Sequence, residues 1–549
     1  MKIRVSKHPN LDSADCSQQY KRGEIIMYQC PNCSGNMKFY IPSQMLRCDY
    51  CTTEMDPYAF HQQSDVEESN DFNVTIFTCP QCAGELMSTE YEATAFCSFC
   101  GASNILTSRI SSEKRPSYII PFQKTKEDCK ASFHKMMKKA LYTPKQLRKV
   151  DNINGFRGIY MPYWFYNVSQ KGPGRVKGTD CYRSGDYVIT DHYNLDFYVD
   201  SEYDHISFDS SASFADNLST AIAPFDVRKA KEFTPAFLSG FYADTADVIP
   251  EVYTEDATAI ANKATYKQLT QTPAFRKYDI QDSGNNSQKT LLFNTQCSSV
   301  ERAMLPVWFL SYRQGDRIAY AAVNGQTGKI AADLPVDPKR YLFGSLLTAI
   351  PLYILLNMFF TPTPTATLLW SIFFAIFTLI LYTVEIFQIK RKDNDEDDKG
   401  MMSKKAFYNP NKTNRAKIPT TFLIIILVTL VCFCVFTLPS FISISMIDIT
   451  SLGFIPIVAS VVFGFIIGHN IKQLKVTKKH YGFIGASLSL IISTFVIILN
   501  PVWDYIYYIG AIASIVAIFF SIYDLIYYFN ILATRKLPQF NRTGGDDCA

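Results

Sequence analysis

Cys30-Pro-Asn-Cys33 is followed after fourteen residues by Cys48-Asp-Tyr-Cys51, and Cys79-Pro-Gln-Cys82 after fourteen residues by Cys97-Ser-Phe-Cys100. Each cysteine of the second set stands 49 positions after its counterpart, and Gly35 and Gly84 match as well. Eight cysteines in one register are an internal repeat. A Cys-x-x-Cys knuckle presents two thiolates to one metal, and a nearby glycine permits a left-handed turn. Two such knuckles on facing hairpins close a tetrahedral shell at roughly 2.3 Å. The spacing therefore predicts two zinc ribbons, residues 25–58 and 74–106, each holding one structural Zn2+ on four cysteines. The predicted ligands are Cys30, Cys33, Cys48 and Cys51 for the first, and Cys79, Cys82, Cys97 and Cys100 for the second. A closed shell leaves no position for substrate, and modules this small draw folding energy from the metal. The isolated Cys16, Cys129, Cys181, Cys297 and Cys548 read as free thiols. Cys432 and Cys434, two apart in an apolar helix and so about 200° apart around it, read as packing residues.

The charge on either side of the repeat sorts the partners. The chain of 549 residues has 54 Lys+Arg against 50 Asp+Glu, and the balance is uneven. Residues 1–106, which include an N-terminal tail over 1–24, carry seven basic and thirteen acidic residues. A phosphate-backbone binder needs the opposite sign, so the ribbons read as protein-binding modules, and nucleic acid is a disfavoured partner. Residues 107–150 then carry twelve basic residues against three acidic ones. Within this basic link Glu127–Leu141 reads as a helix, with Cys129, Phe133, Met136, Met137, Ala140 and Leu141 on or near one face. It would contact membrane lipid headgroups, dock on the acidic ribbons or bind nucleic acid, the first two being favoured.

Residues 151–340 are rich in aromatic residues and short alternating runs, and read as an α+β domain. Gly158-Ile-Tyr-Met-Pro-Tyr-Trp-Phe-Tyr166 echoes Ala303-Met-Leu-Pro-Val-Trp-Phe-Leu-Ser311, with Pro162, Trp164 and Phe165 matching Pro306, Trp308 and Phe309. Each is expected to open a strand on its proline and pack its tryptophan inside. Helices are expected over Ala215–Ala223, Pro235–Asp247 and Thr254–Leu269. Asn324-Gly325 marks a hairpin turn between Ile318–Val323 and Ile330–Ala332; with only two residues between Gly325 and Gly328, and no Ser/Thr after Lys329, it is no phosphate loop. Asp209, Asp216, Asp226, Asp244 and Asp247 have no spacing that a mechanism requires. With no nucleophile, base and orienter set either, the sequence reads as non-enzymatic, with no catalytic or cofactor-binding residue assigned.

Residues 341–549 hold 16 Lys+Arg and 11 Asp+Glu, mostly in short clusters between apolar runs. Runs of about 20 apolar residues are long enough to span a bilayer. Six are expected within 341–530, at 341–360, 366–389, 421–438, 452–468, 481–499 and 505–529, with a tail over 531–549. The segments after the second, fourth and sixth runs hold all 16 basic residues of this half. That asymmetry puts both termini in the cytosol of a multi-pass plasma-membrane protein, and the start lacks the apolar region of a signal peptide. Glu385 and Asp524 lie within a turn or two of the cytosolic ends, Asp448 and Asp504 in or beside external turns. A transport path is thus a weak alternative.

Together the paired CPxC and CxxC knuckles, SYIIPF, GIYMPYWFY, PVWFL and NGQTGKIAADLPVD resemble a family of bacterial membrane proteins. Its members carry transcription-factor-IIB-type tandem zinc ribbons, and some are automatically labelled primosomal replication-restart helicases. The resemblance covers about residues 25–340 and implies zinc binding at the eight paired cysteines. A helicase role is not expected, because no G-x-x-x-x-G-K-[ST] is present to cradle ATP phosphates. The expected whole is multidomain: tandem all-β zinc ribbons, an α+β cytosolic domain and an all-α six-helix transmembrane bundle. Its expected role is a membrane-anchored protein-binding or scaffolding module. A membrane-tethered nucleic-acid binder is the first alternative, and a transporter or channel regulated by its ribbons the second.

Overall fold

The computed structural model describes residues 28–59, 71–88, 97–101, 107–148, 155–280, 294–314, 317–359, 364–393, 481–499 and 501–536. Strands β1 (Met37–Tyr40), β2 (Met45–Cys48) and β3 (Glu54–Met55) form a small antiparallel sheet. The other described strands join in one 13-stranded sheet. In chain order its first members are β4 (Asp71–Thr78), β5 (Glu85–Ser88), β6 (Thr107–Lys114) and β7 (Tyr118–Ile119). Helix α1 (Lys126–Lys139) leads to the long hairpin β8 (Arg157–Ser184) and β9 (Tyr187–Asp209). Then come α2 (Asp216–Ile222), β10 (Lys231–Glu232), β11 (Tyr242–Ala243), α3 (Thr254–Gln271) and β12 (Asp279–Ile280). A second hairpin, β13 (Asn294–Gln314) and β14 (Arg317–Asn324), is followed by β15 (Ile330–Ala332). Helices α4 (Pro338–Phe359), α5 (Pro364–Asp393), α6 (Tyr481–Leu499) and α7 (Asp504–Ala533) complete the described chain, with β16 (Arg535–Lys536) after α7.

The echoed segments are neighbours at the centre of the large sheet. β8 and β13 pair antiparallel, with Pro162 opposite Met304 and Pro306 opposite Tyr160. Each long strand takes a short parallel strand from the other half: β11 on β8 at Ile159–Tyr160, β7 on β13 at Ala303–Met304. Matched hydrogen bonds follow. Asp244 N–H donates to Tyr160 O and Ile120 N–H to Met304 O, both at 2.9 Å. Ser210 N–H donates to Pro162 O at 2.9 Å, and Gly325 N–H to Pro306 O at 2.8 Å. Trp164 Nε1 donates to Val248 O and Trp308 Nε1 to Lys124 O, both at 2.8 Å. The body is thus two copies of one unit, short strand, helix and long hairpin, related by a pseudo-two-fold between β8 and β13.

The prolines do not open their strands as expected; both lie inside them. Each stands where one edge of its strand changes partner. β8 passes from β11 to β9 between Tyr160 and Tyr163, and β13 from β7 to β14 between Met304 and Val307. No ladder bond is asked of the residue at that gap, so a missing N–H is tolerated there. Both tryptophans are buried as expected.

Other expectations need correction. Of Pro235–Asp247 only Pro235–Leu238 winds, as one 3-10 turn; Gly240 takes a φ of +85° and Tyr242 enters the sheet. The second ribbon is no separate module, because β4, β5 and β6 are strands of the large sheet, and β6 lies in the stretch read as the basic link. The remainder of that link forms α1, whose Cys129, Phe133 and Met137 are buried in the same apolar cluster as Phe39 and Leu46 of the first ribbon.

The six-helix transmembrane bundle is also corrected. The described chain has seven α-helices beside the large sheet, and among the described residues one helix, α7, is long and apolar enough to cross a membrane. Among the residues whose side chains are described, the apolar stretches of α5 and α6 are Ser371–Val384 and Phe483–Val496. The runs expected at 421–438 and 452–468, the tail over 1–24, and Cys16, Cys432, Cys434, Asp448 and Cys548 lie outside the described residues. Helices α5, α6 and α7 pack on one another through Leu379, Tyr382, Ala486 and Tyr528.

Candidate metal centres

Both predicted cysteine quartets assemble. In each, the four Sγ atoms lie within 4.8 Å of one another. In the first centre Cys30 Sγ is 3.3 Å from Cys51 Sγ, and Cys33 Sγ is 3.4 Å from Cys48 Sγ. In the second, the matching pairs Cys79–Cys100 and Cys82–Cys97 are both 3.7 Å apart. A tetrahedron with bonds of about 2.3 Å sets its sulfurs about 3.8 Å apart, whereas a disulfide needs about 2.05 Å. The spacing therefore fits four ligands around a shared metal ion, with the first centre drawn tighter than the second.

The local backbone repeats with the sequence. Cys30 N–H donates to Gly35 O at 2.8 Å and Ser34 N–H to Cys30 O at 2.8 Å; Cys79 N–H donates to Gly84 O at 2.9 Å and Ala83 N–H to Cys79 O at 2.8 Å. The left-handed residues are Ser34 (φ +58°) and Ala83 (φ +56°), not the glycines after them. Gly35 serves close approach instead, since a Cβ there would lie 2.5 Å from the Tyr50 ring and 3.3 Å from Cys48 Sγ. In the later knuckles Thr52 (φ +60°) and Gly101 (φ +68°) occupy matching positions, each donating its N–H at 3.0 Å to the carbonyl of Cys48 or Cys97.

The two centres differ in their surroundings. Cys79, Cys82, Cys97 and Cys100 are all buried, among Phe77, Phe99, Ile159 and Phe309 of the large sheet. Cys33 and Cys51 of the first centre are exposed, and beside them Tyr50 is 81% exposed. Thiols shift one another in both centres: against the lowering hydrogen bond from the Gly35 backbone, those with Cys51 and Cys48 push the exposed Cys33 up to about 12. A hydrogen bond with the Thr53 hydroxyl brings Cys51 down to about 6. Cys97 is pushed up to about 12, first by its hydrogen bond with Cys100, and Cys82 is raised further, again with Cys100 as the first cause. Crowded buried thiols resist ionising together, and a dication among them supplies the compensating charge.

The second centre is tied to the apolar helix. Tyr320 on β14 donates its hydroxyl to Phe99 O, inside the Cys97–Cys100 knuckle, at 2.7 Å. The Arg535 guanidinium, just past α7, lies 5.8 Å from the Tyr320 ring centroid and pairs with Asp333 at 3.2 Å. Arg317 opens β14 and donates to Ile531 O at 2.6 Å and Thr534 O at 2.9 Å, capping the carbonyl end of α7,. Asn530 and Val336 exchange two further hydrogen bonds at 2.6 and 2.8 Å.

The remaining sequence candidates are dispersed. Cys129 is buried, Cys181 exposed and Cys297 half-buried, all as free thiols. The aspartates include a grouping that their spacing gave no reason to expect. Ser211 and Ser213 both hydrogen-bond the Asp244 carboxylate, and Asp247 accepts from Ala212 N–H at 2.7 Å. Full burial, with Asp247 adding to it, pushes Asp244 up to about 7. Asp216 instead accepts from Tyr253 at 2.7 Å, and Asp226 pairs with Arg228 at 2.9 Å.

No protein-family model matches the chain, and no solved structure matches it. The chain is similar to the uncharacterized protein YdjG of Bacillus subtilis (strain 168), at 28% identity over 317 residues, which cover 57% of this chain and 91% of YdjG.

Proposed function

We propose that this chain is a membrane-anchored binding or scaffolding protein, with two structural zinc ions in its cytosolic body. The observation that carries the reading is the continuity from the second cysteine quartet, through Tyr320, to the capped end of α7. A metal locked into a sheet, with the sheet clamped to an apolar helix, supports a rigid platform. Zinc suits four thiolates because it is borderline soft and accepts tetrahedral geometry without preference. The basic residues near the apolar runs support a cytosolic placement for the platform. The exposed knuckle of the first centre, with Tyr50, then faces a protein partner. The acidic charge of residues 1–106 favours protein over nucleic acid there.

The test is to recover the full chain from membranes under reducing conditions, measure its metal, and crosslink it in intact cells alongside Tyr50→Ala. Two equivalents of zinc, and protein adducts that disappear in the variant, are the expected results. Recovery in the soluble fraction, fewer than two equivalents, or adducts to nucleic acid would each overturn the reading.

A further inference from the structure

The two hairpins of the duplicated body differ at their outer edges. The outer edge of β14 is filled: β15 pairs with it at Ala321–Val323, and β16, Arg535–Lys536, at Arg317–Ile318. β9 is its counterpart in the other unit, and among the described residues it pairs with β8 alone. Helix α3 covers one face of β9, through Thr265 on Tyr203 and the adjoining Phe275 against Phe197, but not its edge. An edge of this length is a template for another strand, and proteins ordinarily blunt or cover it.

The side chains of β9 specify what would cover it. From Tyr187 to Asp209 the strand has six acidic residues and no Lys or Arg. Asp196, Asp200, Glu202 and Asp204 share its exposed face. On the inner side, β8 answers with Arg175 on Asp196 at 2.5 Å and Lys171 on Asp200 at 3.4 Å. Glu202 and Asp204 have no ion-pair partner among the described residues, so a basic strand on the outer side would continue the cross-strand pattern. The other half of the molecule supplies the precedent. Gly325 matches Ser210 in the shared hydrogen bond to the strand proline. Arg317, where the basic β16 pairs, stands opposite Gln314, eight residues after Pro306. Eight residues after Pro162 stands Gln170, and the bulge in β9 puts Ser201 opposite it, so the equivalent place on β9 is Ser201, next to Glu202.

The arm itself calls for cover. Beyond the reach of β13 the hairpin is, among the described residues, two-stranded apart from a two-residue contact with β12, and isolated two-stranded ribbons are marginal in water,. Its tip exposes Tyr182, Tyr187 and Val188. The 28 residues of β8 reach roughly 90 Å at about 3.3 Å each, and this tip lies at the opposite end of the ladder from the α7 clamp,. A lipid surface is therefore not the cover.

We infer that the outer edge of β9 is a docking site for a basic, extended segment of a protein partner, which adds to the sheet as a further strand. This goes beyond the proposed function, uses no metal ligand, and stands or falls separately from the zinc reading. A second copy of the chain is a poorer occupant, since two acidic β9 edges would face each other.

The test uses the full chain in detergent and two synthetic nine-residue peptides, Lys-Val-Thr-Val-Lys-Val-Thr-Val-Lys and its counterpart with Glu for Lys. Binding is read by fluorescence anisotropy, and strand addition by hydrogen exchange at the β9 amides. The expected result is saturable binding of the basic peptide, with at least about tenfold slower exchange along β9. Glu202→Gln/Asp204→Asn should weaken binding about tenfold, and the acidic peptide should not bind. Both substitutions are on the exposed face, and an unchanged circular-dichroism spectrum verifies the fold. Absence of protection on β9, equal binding of the acidic peptide, or undiminished binding by the variant overturns the proposal. So does protection of β9 that grows with protein concentration alone, which would make a second copy the occupant.

Discussion

Asp244 links the two units of the body, and replacing it with Asn has a calculable consequence. The carboxylate is fully buried, receives the hydroxyls of Ser211 and Ser213 and the Thr245 N–H, and sits near 7 instead of 3.8. Between those values the folded chain holds a proton that the unfolded chain has released. Stability then falls as pH rises through the window, because the folded state binds more protons. Three units at about 1.4 kcal/mol each make the full loss on the order of 4 kcal/mol above pH 7, with nothing lost below pH 4. Asn cannot ionise, and its carbonyl can still accept from both serines. Its amide must face the Thr245 N–H, at a cost of about 1 kcal/mol. By pH 5 the wild type has already lost about 1.5 kcal/mol of this, so Asp244→Asn is expected to be more stable than wild type by about 0.5 kcal/mol at pH 5 and by about 3 kcal/mol at pH 8. The assay is urea unfolding of the full chain in detergent, at both pH values, read at the sheet tryptophans. Metal binding also varies with pH, but equally in both proteins, so it drops out of the difference. Parallel pH dependence in the two proteins would refute the argument.

Three further outcomes follow from the geometry. A chelator should remove metal in two phases, the first centre at least about tenfold faster because Cys33 and Cys51 are exposed, as followed by zinc-dye absorbance,. A single phase would mean that burial of the second centre does not protect it. Gly158→Ala should cost about 1–3 kcal/mol by thermal shift, since the new Cβ would lie 2.5 Å from Phe241, which stacks on Phe122 at 4.5 Å,. Arg317→Ala should uncap α7 and speed hydrogen exchange at Thr534–Lys536 without changing metal content, whereas loss of metal would show that the clamp and the second centre are inseparable.

What the sequence revealed depended on how local each feature is. The cysteine quartets were legible because a knuckle is closed by residues three apart and the repeat offset checks itself at four cysteine pairs. The ends of α6 were legible from an apolar run, but that run could not say whether its helix also spans a membrane. The grouping around Asp244 was not legible in spacing, because Ser211 and Asp244 are 33 residues apart and meet only when β11 pairs with β8. The Pro-x-Trp-Phe echo was visible, yet its meaning was not. A proline inside a strand is readable only when both edges of that strand are known.

The duplication also explains why the two halves of the fold face different neighbours. Two equivalent units present two equivalent outer hairpin edges, one on β14 and one on β9. The chain closes the first with its own β15 and β16, and by doing so attaches the sheet to the end of α7. Had the second edge been closed in the same way, β9 would need a neighbouring strand or an inward cation to blunt it. It has neither among the described residues, and it is more than twice as long, 23 residues against 8. Lengthening an unpaired edge adds unpaired backbone groups and aggregation risk without adding core, since most of the arm beyond Val199 toward the tip is exposed. A duplicated fold that keeps one edge short and filled, and extends the other while making it acidic, supports the proposal that the long edge of β9 docks a basic strand.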